Sequence, residues 1–281
     1  MQELLSKVSS IAMAVFVVSS MLAMGLSLTV AQILQPLRNT RLVVLALLAN
    51  FVAIPLIAVA LARGLGLEEP FAIGLLLLGC AAGAPFLPKL AQLSKGDIAF
   101  SVGMMVLLMV VTVGYLPAVL PLLLPGVSVD PVKIAKSLVV MMLLPLAIGL
   151  VTKSNAETLA GKAKPLLEKA SNLGLIVMMI CIIGANIDKV LQVFGTMGIF
   201  AALLFIAAGY IVGWLLGGRE HGIKSVMALG TSQRNIAAAL VVAGQSFSDP
   251  KVVVMVIVVA ILGMVTLMPF ARRLGNRRPA G

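Results

Sequence analysis

The chain has 281 residues, of which 61% are hydrophobic and only 11% charged, and its mean hydropathy is +1.15. An average soluble domain carries roughly 25% charged residues, so the composition excludes a soluble globule. The net charge of +11 reads, in so apolar a chain, as the excess of Lys and Arg found on cytoplasmic loops. A nucleic-acid surface is not called for.

Nine apolar segments are predicted, over about 9–31, 42–62, 70–94, 98–124, 132–152, 166–186, 194–216, 222–247 and 251–271. Nine helices of about 20 residues account for the apolar fraction, so the expected fold is an all-α polytopic membrane protein with nine transmembrane helices. Runs such as LVVLALLANFVAIPLIAVALA are continuous and do not alternate, which excludes a porin-type barrel. The run from Ile11 to Val30 is too long for the core of a signal peptide and is read as the first span.

Six basic residues fall on one side of these segments and thirteen on the other. The richer side should face the cytoplasm. The N-terminus is then outside and the C-terminus inside the cell (inner) membrane.

The third segment contains Pro85 and Pro88 beside Gly79 and Gly83, so its helix is expected to break near residues 84–88. The eighth holds Thr231, Ser232, Gln233, Arg234 and Asn235 near its middle. Polar groups at that depth need protein partners or a water-filled cavity, so this helix should also be interrupted. Segments one to four repeat weakly as six to nine, in opposite orientation. Broken helices at matching positions of inverted halves point to a transporter's midplane site.

Two basic residues lie inside these broken segments. Lys89 is about five residues, or roughly 7–8 Å of helix, from the end of its segment. It can snorkel to the cytoplasmic interface or face the cavity at the break. Arg234 is about twelve residues, or roughly 18 Å, from either end, too far for snorkelling. The four aspartates (Asp97, Asp130, Asp188, Asp249) and six glutamates all lie at segment ends or in loops, so no acid is placed to pair with it. Arg234 must lean on carbonyls, helix C-terminal ends, water or an anion from outside. It can pin the break in place of an ion, or bind an anionic substrate directly or at long range, and the two roles are compatible. Thr231, Ser232, Gln233 and Asn235 are expected to line the site. Asn50, Asn186 and Ser101, taken singly, are read as interhelical hydrogen bonds.

No cluster of His, Cys, Asp and Glu with metal-ligand spacing is present, and no nucleophile–base pair. An enzyme, a metal site and a cofactor are therefore not expected.

The stretches MGLSL (24–28), LLGCAAGAPFLPKLAQLSKGDIAFSV (77–102), LLPLAIGLV (143–151) and GTSQRNIAAAL (230–240) resemble the bile acid:sodium symporter family. The resemblance implies inverted five-helix repeats, two crossing discontinuous helices in a core domain, and a panel domain beside it. On this chain the panel would be residues 1–41 and 131–190, the core 42–130 and 191–273, and 274–281 a cytoplasmic tail. Family substrates are organic anions, usually coupled to sodium.

The match also implies ion-site remnants. A family Ser-Asn falls on Leu87-Pro88, an acid on Gly230, a Gln-Asn on Arg234-Asn235, a Gln on Asn50, a Ser on Ser101 and a Thr on Met105. Most sodium-binding side chains, including the carboxylate, are thus absent. The expected function is a secondary transporter of a small organic anion working within the lipid bilayer, with Lys89 and Arg234 in place of sodium ions. The alternatives are proton coupling through Lys89, a conventional sodium symporter, and a membrane sensor or subunit that does not transport.

Overall fold

The computed structural model describes residues 2–124, 130–185, 193 and 196–276, and among these every regular element is a helix. Asn186, Asp188 and Lys189, and the tail from residue 277, lie outside the described residues.

Helix α1 spans Gln2–Gly25. A short helix, α2 (Val30–Leu34), follows behind a capping box made by Thr29 and Gln32. Helix α3 (Thr40–Gly64) contains a π turn at Ala49–Ala53. The third segment is two short helices, α4 (Glu69–Cys80) and α5 (Leu87–Leu93). Next come α6 (Ile98–Leu123), α7 (Pro131–Asn155) with a second π turn at Val139–Leu143, and α8 (Glu157–Ala185). The chain closes with α9 (Gly198–Leu216), α10 (His221–Ser232), α11 (Ile236–Ser246) and α12 (Pro250–Asn276).

This is an all-α, multi-pass membrane protein. Among the described residues seven stretches, counting α10 and α11 as one, are long and apolar enough to cross a bilayer, against the nine predicted. The third segment is divided between α4 and α5. The sixth lies within the 29-residue α8, whose N-terminal half carries Lys162, Lys164, Glu168 and Lys169.

Asp97 and Asp130 sit at helix starts for a local reason. Asp97 accepts from Phe100 N at 2.8 Å and Asp130 from Val132 N at 2.9 Å. Each satisfies an N–H of a first turn that has no partner within its own helix.

The π turn in α3 follows from Pro55. Proline has no N–H, so the Phe51 carbonyl four residues back loses its helical donor. The ladder slips by one residue, and Ile54 N bonds to Ala49 O. The carbonyls of Asn50 and Phe51 are thereby released. Tyr115 of α6 donates to Phe51 O at 2.6 Å.

Packing between helices relies on glycine. Along α9 and at its C-cap, a Cβ at Gly209, Gly213 or Gly217 would meet Ser232 Cα at 2.8 Å, Met227 O at 2.3 Å and Lys224 Cα at 2.7 Å, respectively. A glycine every fourth residue lets α9 lie directly on the backbone of α10. Gly25 and Gly149 do the same for α1 and α7, with Leu146 O 2.3 Å from a Cβ on Gly25. Gly213→Ala should therefore destabilise the fold by about 1–3 kcal/mol. Gly161→Ala, where nothing lies within 4 Å, should be neutral or stabilising. Thermal melts of the two variants in the same detergent check the contrast.

Candidate functional site

Both interrupted helices break where polar residues and helix breakers cluster, and the two breaks touch. The first begins earlier than expected. Helix α4 ends at Cys80 and the chain is extended at Ala81. Gly83 has φ +80 and passes so close to α6 that a Cβ would lie 2.3 Å from Met109 N. Pro88 does not kink a helix from within; it lies in the first turn of α5, where a missing N–H costs nothing.

The extended stretch is held from two directions. Thr112 of α6 accepts from Ala82 N at 3.0 Å and donates to Ala82 O at 3.1 Å. From the second break, Asn235 N donates to Ala81 O at 2.9 Å and Asn235 Nδ2 to Gly83 O at 3.1 Å. Asn235 Oδ1 meanwhile caps α11 by accepting from Ala238 N at 3.1 Å. One side chain thus joins the two breaks and starts the second half-helix.

Arg234 occupies the meeting point and is 3% exposed. Nε donates to Leu78 O at 2.9 Å. Nη1 donates to Asn50 Oδ1 at 2.6 Å and to Thr231 O at 3.2 Å. Nη2 donates to Gly79 O at 2.8 Å and to Asn50 O at 3.5 Å. A guanidinium has five N–H bonds, and all five are used. Leu78 and Gly79 offer carbonyls from the last turn of α4, and Thr231 from the last turn of α10, where partial negative charge gathers. The Asn50 carbonyl is one of the two that Pro55 releases. No carboxylate among the described residues reaches Arg234; helix ends and one carboxamide supply its counter-charge.

Asn50 completes this cage. Its Nδ2 donates to Ala46 O at 3.0 Å and to Thr231 Oγ1 at 3.3 Å, which fixes Oδ1 toward the guanidinium. The other candidates divide. Ser232 Oγ donates to Ile206 O of α9 at 2.7 Å. Gln233 is 4% exposed and lines a void of about 10 Å³ beside Arg234, room for about one water. Ser101 Oγ turns back to Ile98 O at 2.7 Å in its own helix and does not point to the cage.

The space beside Gly230 is filled with hydrocarbon. A Cβ on Gly230 would meet Leu87 Cδ2 at 2.8 Å and Met104 Cε at 3.1 Å. Leu87 and Met104 are each 1% exposed.

Lys89 does not join the cage. Its side chain is exposed and Nζ donates to Gln92 Oε1 at 3.2 Å. On the short helix α5 it shares a face with the residue three positions on, which directs it away from the buried side occupied by Leu87 and Leu90. The expectation of a second fixed cation at the crossing point is corrected accordingly.

Thr112, Tyr115 and Pro55 were not singled out from the sequence. Thr112 carries a signal, as a small hydroxyl side chain in the middle of an apolar span. Pro55 carries another, since a proline inside a span releases carbonyls.

Residues 14–193 match a family model described as the Sodium Bile acid symporter family. The chain belongs to that family. The matched range takes in Asn50, the first break and Lys89, and ends before the second. Among curated relatives, the chain is 29% identical over 202 residues to the "Uncharacterized sodium-dependent transporter YocS" of Bacillus subtilis, covering 69% of this chain and 61% of the relative. It is 24% identical over 253 residues to the "Probable sodium/metabolite cotransporter BASS3, chloroplastic" of rice, covering 87% and 60%. The Arabidopsis thaliana protein of the same name is 25% identical over 256 residues, covering 87% and 59%. The chain thus spans about three-fifths of the length of the curated relatives it matches. The family is one of symporters and cotransporters, not of enzymes.

Proposed function

We propose that this chain is a secondary transporter of a small organic anion in which Arg234 is a built-in cation, so that the place it fills needs no sodium. The observation that carries the reading is the closed cage around the guanidinium. A cation in a broken-helix site neutralises carbonyl ends and raises the local potential for an anion. Arg234 does the first through five hydrogen bonds. With no donor to spare, it does the second through its field and not by contact. The hydrocarbon at Gly230, Leu87 and Met104 removes the other place that the family resemblance gives to an ion.

A sodium-coupled mechanism is the second reading, favoured by the words "sodium-dependent" and "sodium/metabolite" in the relatives' names. Melting curves in sodium and in choline chloride separate the two, because a ligand that binds only the folded state raises stability. Equal curves support the fixed cation; a rise with sodium overturns it. Uptake of carboxylates and sulfonates into proteoliposomes, run in both salts, tests transport itself.

In this reading residues 42–130 and 191–273 move as a core against a panel of 1–41 and 131–190. One contact between these groups would then have to open. Lys133 Nζ donates to Gln245 O at 3.4 Å, Ser137 Oγ bonds Gln245 Oε1, and Gln245 Nε2 lies 3.5 Å from the Met141 sulfur. Positions 133, 137 and 141 share one face of α7 and fasten the free end of α11. Gln245→Ala should release it and raise the open population roughly tenfold, as loss of about 1.4 kcal/mol of hydrogen bonding implies. Maleimide labelling of a cysteine placed at Leu138, now fully buried, reports the change; an unaltered labelling rate would count against the latch.

A further inference from the structure

A second cavity lies away from Arg234 and belongs to none of the contacts described above. It measures about 290 Å³ and is walled by Val59 and Ala62 of α3, Leu67 of the following loop, Leu76 of α4 and Leu123 at the end of α6. Its one charged lining residue is Arg63. This arginine sits in the last turn of α3, is exposed, and makes no side-chain hydrogen bond or ion pair among the described residues. Lys251, at the start of α12, is otherwise engaged: it pairs with Glu68 at 2.8 Å and lies over the Phe71 ring.

The position of the mouth selects the occupant. The spans Thr40–Gly64 and Ile98–Leu123 end here together, at the level where hydrocarbon gives way to headgroups. Apart from Arg63 the lining side chains are apolar, which offers a small soluble anion no second polar side chain. The free guanidinium offers paired donors to a phosphate. A choline headgroup would bring a second cation to the same place.

We infer that this cavity seats part of one anionic phospholipid, with the upper stretch of an acyl chain against Leu76 and Leu123 and the phosphate on Arg63. Ala72 and Leu76 lie on α4, so the lipid braces the half-helix that leads to the first break.

Native mass spectrometry of the full chain tests this, with phosphatidylglycerol and phosphatidylcholine of identical acyl chains and with free oleate. Wild-type protein should bind the glycerol lipid at least about fivefold more tightly than the choline lipid, the factor expected for one interfacial basic residue. Arg63→Gln should abolish that preference, and Ala72→Leu, which projects into the cavity, should remove the tightly held lipid. Arg219→Gln, at another basic interface, should change neither. Equal affinity for the two lipids, a preference that survives Arg63→Gln, an unaffected Ala72→Leu variant, or oleate binding as tightly as the glycerol lipid would each overturn the proposal.

Discussion

Arg234→Ala will destabilise the protein by about 3–5 kcal/mol, since each buried acceptor left unsatisfied costs about 1–3 kcal/mol, and uptake will fall below detection. The loss is not that of a salt bridge, since no carboxylate among the described residues reaches Arg234. It comes from carbonyls of Leu78, Gly79, Asn50 and Thr231 and the carboxamide of Asn50 that lose their donors together in a buried place. Leaving buried acceptors unsatisfied costs more than the bonds were worth.

Arg234→Lys should recover only part of the loss. An ammonium is a point charge with three donors and cannot reproduce a planar fork that addresses five oxygens. The informative variant is Arg234→Gly. It empties a cage of neutral oxygens, which is the donor set that hard cations prefer. If the guanidinium substitutes for a cation, this variant should be more stable in sodium than in choline, whereas wild type should not distinguish them. Denaturant or thermal melts in the two salts decide it. No sodium effect on the glycine variant would mean that the cage is shaped for a side chain and not for a charge.

Gly83→Ala is the second large effect, at about 2–5 kcal/mol. Two costs add. An alanine at φ +80 carries left-handed strain of roughly 1–2 kcal/mol. Its Cβ would also lie 2.3 Å from Met109 N and 2.6 Å from Met105 O, backbone atoms that cannot rotate away, for about 1–3 kcal/mol more. Moving the loop to relieve the contact pulls Ala82 from Thr112 and Gly83 O from Asn235. Gly66→Ala isolates the first cost, because Gly66 also has positive φ, +59, but nothing within 4 Å. Melts should place Gly83→Ala well below Gly66→Ala. Similar losses for the two would show that strain alone matters at Gly83.

Much of this site was legible in the sequence because bilayer physics leaves few options. A run of five polar residues in an apolar segment has to interrupt a helix, and an arginine too deep to snorkel has to face inward. The absence of any acid within a span was likewise readable, and it pointed to carbonyls as partners before any geometry was available. Lys89 was misplaced because five residues from a segment end is within a lysine's reach in either direction, and which face of a two-turn helix it occupies depends on how Pro88 starts that helix. The hydrocarbon plug was illegible for another reason. Leu87, Met104 and Gly230 lie on three different elements, and only their packing brings the leucine methyls to the glycine. The Asn50 carbonyl needed Pro55 to be read as a donor removed from the ladder, which apolar periodicity does not register.

A bound ion leaves and returns on each cycle; a guanidinium never does. In the transport cycle proposed above, the positive charge of Arg234 therefore travels with whatever moves, loaded or empty. A monovalent passenger would render the loaded body neutral, while the unloaded body would return with one uncompensated positive charge. Displacing that charge through the whole field is worth about 2.3 kcal/mol per 100 mV. In an energised cell, whose interior is electrically negative, the unloaded protein would rest facing inward, and the voltage itself would act as the brake on its reset.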